Sequence, residues 1–129
     1  MSEKFKVEVI TPDQTILQSD AIEVTIPSFE GQMGILKNHI PLITFLRPGL
    51  ISIYGEREIK YFVEEGTVEF VKNNLLILTS TAFDIEKLKN NFIEENIKKA
   101  EENFNSPNIK DKEKYLLSYK IETLKELRK

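Results

Sequence analysis

Cysteine and tryptophan are absent from this chain of 129 residues, and histidine occurs once. Without cysteine there is no disulfide, no thiolate nucleophile and no cysteine-based zinc site. No apolar run approaches the roughly 18 residues that a membrane-spanning helix needs, and residues 1–6 resemble neither a secretory signal nor a transit peptide. We therefore expect a soluble chain of one domain or two small ones, without direct bilayer insertion, whose link to any membrane runs through a partner.

Charge is nearly balanced along the chain but unevenly divided. The net charge is −3 with both signs mixed, which argues against nucleic acid as a partner, since such binders carry a basic patch. Residues 1–82 hold 7 Lys/Arg and 11 Asp/Glu, whereas residues 83–129 hold 11 and 10. The basic residues of the second part crowd near its end, which makes an acidic partner surface one interpretation and a solvated helix face the other.

The first two thirds of the chain have the pattern of β-strands. Apolar and polar residues alternate over residues 5–9, 22–26 and 59–64, and turn signals separate these stretches. Two apolar runs are interpreted as more deeply buried strands, Leu42 to Leu46 between two stops and Leu75 to Leu78 covered on both faces. Because no helical segment intervenes, the pattern favours an antiparallel β-sandwich over a parallel architecture.

After Ala82 the period changes to three and four residues, which predicts a helix from about Asp84 to Phe104 with Asp84 as its N-cap. Asn105 to Asn108 breaks it, and a second helix is predicted to begin near Ser106 or Asp111. Two helices joined by a short polar turn form an antiparallel hairpin. The predicted fold is thus a two-domain α+β protein, with a β-sandwich over residues 1–82 and an α-helical hairpin over residues 83–129.

No constellation of residues supports catalysis. His39 has only Lys37, Asn38 and Thr44 near it in sequence, so a structural or contact role is the better interpretation. The paired glutamates, Glu64-Glu65 and Glu94-Glu95, diverge on a strand or helix. The sequence contains no phosphate-loop motif and no metal-ligand cluster, so we predict a non-enzymatic protein without a metal site or a cofactor.

Residues 28–49 contain glycine and proline at a higher density than any other part of the chain. This stretch holds three of the five glycines and two of the five prolines. Gly31 and Gly34 are expected to allow positive φ or close backbone approach in a tight loop. From the residues alone, the loop is either an ordinary corner of the sandwich or a docking tip.

The same stretch resembles a known signature. The order and spacing of its residues are similar to those of the epsilon subunit of bacterial and plastid F-type ATP synthases, called delta in mitochondria. The matching positions are Glu30-Gly31, Gly34-Ile35, His39, Pro41-Leu42, Thr44 and Pro48-Gly49.

The resemblance implies a non-catalytic rotor subunit of a proton-translocating enzyme. In that family the sandwich binds the γ shaft, and the loop contacts the membrane rotor ring. By matching position, this ring-contact loop consists of Ser28, Phe29, Glu30, Gly31, Gln32, Met33 and His39. The implied location is peripheral, on the cytoplasmic face of the bacterial inner membrane, with the plastid thylakoid as the less favoured setting.

The resemblance also implies that the hairpin can extend along the stalk, meet the catalytic α/β subunits and block ATP hydrolysis. The residues expected to act there form a basic group on the second helix: Lys114, Lys120, Lys125 and Arg128. Many relatives carry a nucleotide motif at the start of the first helix, of which Asp84 and Lys87 are the remaining counterparts, a weak nucleotide site. The alternative function is a free-standing ligand-binding β-sandwich with a helical appendage.

Overall fold

A computed structural model describes residues 3–128 of the chain. Within it, ten strands precede a short 3-10 helix (Ile85–Lys87) and two α-helices, α1 (Asn90–Phe104) and α2 (Asp111–Leu127). The strands are β1 (Phe5–Ile10), β2 (Thr15–Ala21), β3 (Glu23–Ser28), β4 (Gly31–Leu36), β5 (Leu42–Leu46), β6 (Gly49–Tyr54), β7 (Glu58–Val63), β8 (Gly66–Val71), β9 (Asn74–Thr79) and β10 (Ala82–Asp84). The predicted α+β fold, a sandwich followed by a helical hairpin, is confirmed.

The strands form one continuous sheet that curves around a single core. Its order is β10-β7-β6-β3-β5-β8-β9-β1-β2, and β4 pairs with β3 beside this path. All pairs are antiparallel except β1 with β9, which are parallel from Lys6↔Asn74 to Ile10↔Leu78. No hairpin turn links these two strands, so no turn fixes their relative direction.

The core of the sandwich consists of inward-facing side chains from nearly every strand. Alternation explains this directly, because successive side chains of a strand point to opposite faces. Phe5 and Phe70 meet edge to face with ring centroids 5.6 Å apart, a favoured geometry for aromatic pairs. The predicted alternation over residues 5–9 matches the burial of β1, in which Phe5, Val7 and Val9 are all inside.

Two strands are less buried than predicted. In β5 the side chains of Ile43 and Phe45 are exposed, and in β9 the side chain of Leu78 is exposed, so neither strand is covered on both faces. A short apolar run cannot distinguish a buried strand from one whose outer face is apolar. The outer face of these strands therefore matters for function and is described below.

The start of the helical part also differs from the prediction. Residues 82–84 pair with β7, so the sheet continues to Asp84, and α1 begins only at Asn90. Asp84 does act as a cap, but of the 3-10 helix, where its carboxylate accepts a hydrogen bond from the Glu86 N–H at 3.0 Å. Leu88 then takes an extended backbone, with φ −78° and ψ 129°, which interrupts the helical path. The second helix begins at Asp111, one of the two predicted starts.

The hairpin packs on the sandwich through a second apolar cluster. Phe62 of β7, Leu88, two isoleucines of α1 and Leu124 of α2 are buried together there, and Leu124 has no exposed surface. Phe83 lies between Phe62 and Phe92, with ring centroids 6.4 and 5.1 Å away. Apolar burial of this kind gives the short helices the stability that they would lack alone.

Candidate functional site

The turn between β3 and β4 is built by one serine and one glycine. The Ser28 hydroxyl donates to the Gly31 carbonyl oxygen at 2.8 Å and accepts from the Glu30 N–H at 3.2 Å. Gly31 has a φ of +119°, which a side chain would strain. Ser28 is fully buried, so within the predicted ring-contact loop it shapes the turn, while Phe29, Glu30 and Gln32 are the exposed tip.

Two other residues of this region have structural roles. Met33, a member of the predicted ring-contact loop, is half-buried and packs against the sandwich core, so it is not part of the exposed tip. Gly34 lies within β4 and lacks positive φ, and a Cβ there would come 3.3 Å from the flexible Glu23 carboxylate. The expectation of a loop conformation at Gly34 is therefore wrong, because the strand begins at Gly31.

His39 lies at the opposite end of β4 from the tip. Its ring packs edge to face on Phe70 with centroids 6.0 Å apart, and its Nδ1 lies 2.7 Å from the Ile40 carbonyl oxygen. The backbone there is held by Asn38, whose N–H donates to the Asn73 side-chain oxygen at 2.7 Å. The contact-histidine interpretation fits this packing, but His39 is not part of the exposed tip formed by Phe29 to Gln32.

A larger exposed surface lies on the outside of β5, β8 and β9. We name it the outer apolar face, and its members are Ile43, Phe45, Val71 and Leu78. Ile43 is 74% exposed and Phe45 is 59% exposed, values that are high for such side chains. Register places Thr67 between Phe45 and Leu78 and places the exposed Glu69 opposite Ile43, so the apolar positions of β5 and β9 flank two polar residues of β8.

Sequence reasoning missed the outer apolar face because Ile43, Phe45 and Leu78 were assigned to buried strands. Leucine and isoleucine on both faces of a strand indicate either double burial or a partner. The hairpin does not cover these strands, since its packing cluster includes Leu50 of β6 and Phe62 of β7. The face is thus open, and it adjoins the tip through a hydrogen bond from the Phe29 N–H to the Phe45 carbonyl oxygen at 3.1 Å.

A group of aromatic residues connects the tip to α2. The rings of Phe29 and Tyr115 are stacked, 5.7 Å apart and within 9° of parallel. Tyr115 meets Tyr119 edge to face at 5.0 Å, and the Arg47 guanidinium lies 3.8 Å from the Tyr119 ring centroid. Loss of water contact raises the pKa of Tyr115 above its ordinary value, and neighbouring Tyr119 adds to this while the Arg47 charge opposes it.

All four basic residues predicted to regulate have partners in this conformation. Lys120 forms an ion pair with Glu64 of the sandwich at 2.9 Å. The other three contact α1, and these pairs are Lys125 with Glu101 at 3.5 Å, Arg128 with Glu94 at 3.5 Å, and Lys114 over the Phe104 ring at 5.5 Å. Binding of these residues to another protein would require release of these contacts.

The two residues of the weak nucleotide site border one small cavity. Asp84 and Lys87 line a space of about 310 Å³ with apolar neighbours that include Phe83 and Leu88. The Asp84 carboxylate is occupied by the Glu86 N–H. Burial raises the pKa of the Tyr61 hydroxyl in the same cavity, with Asp84 adding and Arg57 opposing. This lining supplies one cation and no second basic group, so the arrangement adds nothing to the case for nucleotide binding.

Residues 3–128 contain no helix long and apolar enough to cross a membrane. Over the same range, His, Asp and Glu side chains form no group of three that could hold a metal ion.

Comparison with known proteins identifies the sandwich. Residues 4–85 match the family model described as ATP synthase, Delta/Epsilon chain, beta-sandwich domain. The chain, with its ten strands and helical hairpin, is therefore a delta/epsilon-type ATP synthase subunit.

Relatives and solved structures agree with this class. The ATP synthase epsilon chain of Pelagibacter ubique is 47% identical over 129 residues, with 98% of this chain and 99% of the relative covered. A chain in the Euglena gracilis mitochondrial ATP synthase (OSCP/F1/c-ring) has a TM-score of 0.76 at 21% identity, covering 96% of this chain and 79% of its own. One in the Tetrahymena thermophila mitochondrial enzyme (central stalk/c-ring) has a TM-score of 0.66 at 18% identity, covering 99% and 98%. The chain belongs to the ATP synthase epsilon chain family.

Proposed function

We propose that this chain is a non-catalytic central-stalk subunit that couples the membrane rotor ring of a proton-translocating F-type ATP synthase to the γ shaft. The sandwich, residues 1–82 by the sequence boundary and through Asp84 by strand pairing, carries the coupling function, and the hairpin from residue 83 onward regulates. The support is family membership, together with likeness in fold to chains from assemblies described as F1/c-ring and central stalk/c-ring. Its place is peripheral, at the cytoplasmic face of the bacterial inner membrane.

The observation that carries this proposal is the outer apolar face. Four exposed apolar side chains lie on the same face of adjacent strands, around Thr67 and Glu69 of β8, and no other residue within 3–128 covers them, the arrangement expected at an interface. A clamp transmits torque only if it is stiff, and a sandwich with a packed core meets that need better than a pair of helices. We assign this face to the γ shaft.

The ring-contact loop supplies the second attachment. Phe29, Glu30 and Gln32 project at the tip, while Ser28 and Gly31 hold the turn in place. Since the tip adjoins the outer apolar face through the Phe29–Phe45 hydrogen bond, a single rigid edge of the sandwich could touch ring and shaft together. Met33 packs against the sandwich core behind the tip, whereas His39 packs on Phe70 at the other end of β4.

Placing a charge on the outer apolar face should break binding to γ. Ile43→Lys replaces the most exposed side chain of this face by an ammonium opposite Glu69. The complex would desolvate both charges, while the free protein keeps them in water. We expect at least about a 30-fold loss of affinity, the size of a hot-spot substitution. The measurement is calorimetric binding of the variant to an α/β/γ assembly stripped of this chain.

The matched control is Gln18→Lys, which adds the same charge at an exposed position of β2 at the far edge of the sheet. It should bind like the wild type. Equal losses of affinity in both variants would show that added charge in general weakens binding, whatever its position. Unchanged affinity of Ile43→Lys would show that γ does not bind the outer apolar face.

A further inference from the structure

Glu69 is the only charged residue on the outward side of β5, β8 and β9, all of which lie within residues 3–128. Strand pairing places it opposite Ile43 of β5 on one side and opposite Leu76 of β9 on the other. Val71 follows two positions later on the same face of β8, because side chains alternate along a strand. A single carboxylate is therefore set among the apolar side chains of the outer apolar face.

The free protein gives this carboxylate no partner. None of residues 3–128 forms an ion pair or a hydrogen bond with the side chain of Glu69. Glu8 of β1 shows the contrast, because it lies opposite Leu76 on the same face and accepts a hydrogen bond from the Gln18 side-chain amide at 2.8 Å. The sheet thus supplies a partner to Glu8, whereas Glu69 depends on water.

Any partner that covers the outer apolar face also removes water from Glu69. Directly opposed side chains in a sheet have Cβ atoms roughly 5 Å apart, so a surface that contacts Ile43 and Leu76 must also cover the residue between them. Desolvating an unpaired carboxylate costs more free energy than burying one neighbouring apolar side chain gains. A tight complex therefore needs a group on the partner that replaces the lost water.

We propose that Glu69 determines the specificity of the outer apolar face, and that its partner presents an apolar surface with one lysine or arginine that pairs with this carboxylate. Charge complementarity is the reason, since a cation balances a desolvated carboxylate better than a neutral donor does. An apolar surface without a cation would leave the carboxylate unpaired, and an acidic surface would repel it. That the partner is the γ shaft rests on the proposed function.

Glu69→Gln removes the charge and keeps the shape of the side chain. Because Glu69 is exposed and has no partner in the part of the chain that the structure describes, the variant should unfold at the same urea concentration as the wild type. Its affinity for an α/β/γ assembly stripped of this chain should fall at least about tenfold, chiefly through faster dissociation. Surface plasmon resonance measures both rates. A carboxylate that the partner leaves unpaired predicts the opposite sign, because its removal would strengthen binding.

Glu8→Gln is the matched control, since it makes the same change on the same face, where the carboxylate already has a partner. It should change the affinity less than about twofold. Equal losses in the two variants, or unchanged or tighter binding of Glu69→Gln, would overturn the proposal. A loss confined to the association rate that disappears at high salt would place Glu69 at the exposed rim of the interface and would also overturn it.

Ile43→Lys separates the role of Glu69 from the proposed function. If Ile43→Lys loses affinity and Glu69→Gln does not, the outer apolar face binds γ without a cation opposite Glu69, and only the role of Glu69 fails. If neither variant loses affinity, the assignment of this face to γ fails as well.

A charge-reversal experiment identifies the cation. Glu69→Lys should bind the assembly with wild-type γ at least about 100-fold more weakly, because two like charges would meet in the desolvated contact. Assemblies whose γ carries one lysine or arginine changed to glutamate are then tested, one position at a time, for binding to Glu69→Lys. One of them should recover most of the lost affinity. Recovery by none would show that the carboxylate does not face a cation, and would overturn the proposal.

Discussion

Replacement of the four basic residues of α2 by alanine is expected to raise the ATP hydrolysis rate of the assembled enzyme several-fold. In the extended hairpin these charges would pair with acidic surface of the catalytic subunits. Exposed pairs contribute at most about 1 kcal/mol each, so all four must act together to move a two-state equilibrium by a few kcal/mol. The residues are Lys114, Lys120, Lys125 and Arg128.

The packed structure sharpens this expectation. Three of the four residues contact α1 within the hairpin, and Lys120 pairs with Glu64 of the sandwich, so alanine at Lys120 also removes part of what holds the hairpin down. Loss of inhibition therefore means that the contacts to the catalytic subunits outweigh those in the packed state. Inhibition by the wild type should also weaken as ionic strength rises, because exposed charges are screened.

A charge-matched control removes four exposed lysines outside α2, namely Lys72, Lys89, Lys98 and Lys99. It should hydrolyse ATP at the wild-type rate, and a chain lacking the hairpin sets the fully released rate. If the wild type, the α2 variant and the hairpin-less chain all hydrolyse ATP equally fast at low salt, the hairpin does not inhibit in this protein.

The second large effect concerns where the chain can be cut. A fragment ending at Lys89 should fold, but one ending at Ala82 should be less stable by about 1 to 2 kcal/mol, because it loses the half-buried Phe83 and the strand pairing of β10. Phe83 pairs with Phe62 in the sheet and also stacks near its ring at 6.4 Å. Urea unfolding followed by circular dichroism measures the difference.

The sequence boundary at residue 82 would predict equal stability for the two fragments. That result would mean that β10 contributes nothing without the hairpin. With the expected result, the fragment ending at Lys89 is the correct hairpin-less chain for the hydrolysis measurement. The circular dichroism spectrum of this fragment should keep the β-sheet signal of the full chain and lack its helical signal.

Periodicity predicted most of the architecture, because one side of each strand and one stripe of each helix face the core. Periodicity gave the wrong prediction where the helical spacing of apolar residues continues through backbone that is not helical. Ile85, Leu88 and Phe92 are spaced by three and four residues and share one cluster, but they belong to the 3-10 helix, an extended residue and α1. Only the tertiary contacts with β7 distinguish this arrangement from a longer helix.

The candidate site was predictable only in part. Glycine, serine and proline indicated the turn, and Gly31 has the positive φ that was expected there. The outer apolar face was hidden, since Ile43 and Phe45 in a short apolar strand look like core. The aromatic contacts between the tip and α2 could not be predicted either, because Phe29, Arg47 and Tyr119 are far apart in sequence and only the docked hairpin brings them together.

The central claim is mechanical coupling, and ATP-driven proton pumping measures it most directly. Membrane vesicles whose ATP synthase has been stripped of this chain would be supplied with the wild type, Ile43→Lys or Gln18→Lys. We predict that the wild type and Gln18→Lys restore pumping and that Ile43→Lys does not, although ATP is still hydrolysed. Full pumping in the stripped vesicles, or no restoration by wild-type chain that has bound, would contradict a coupling role.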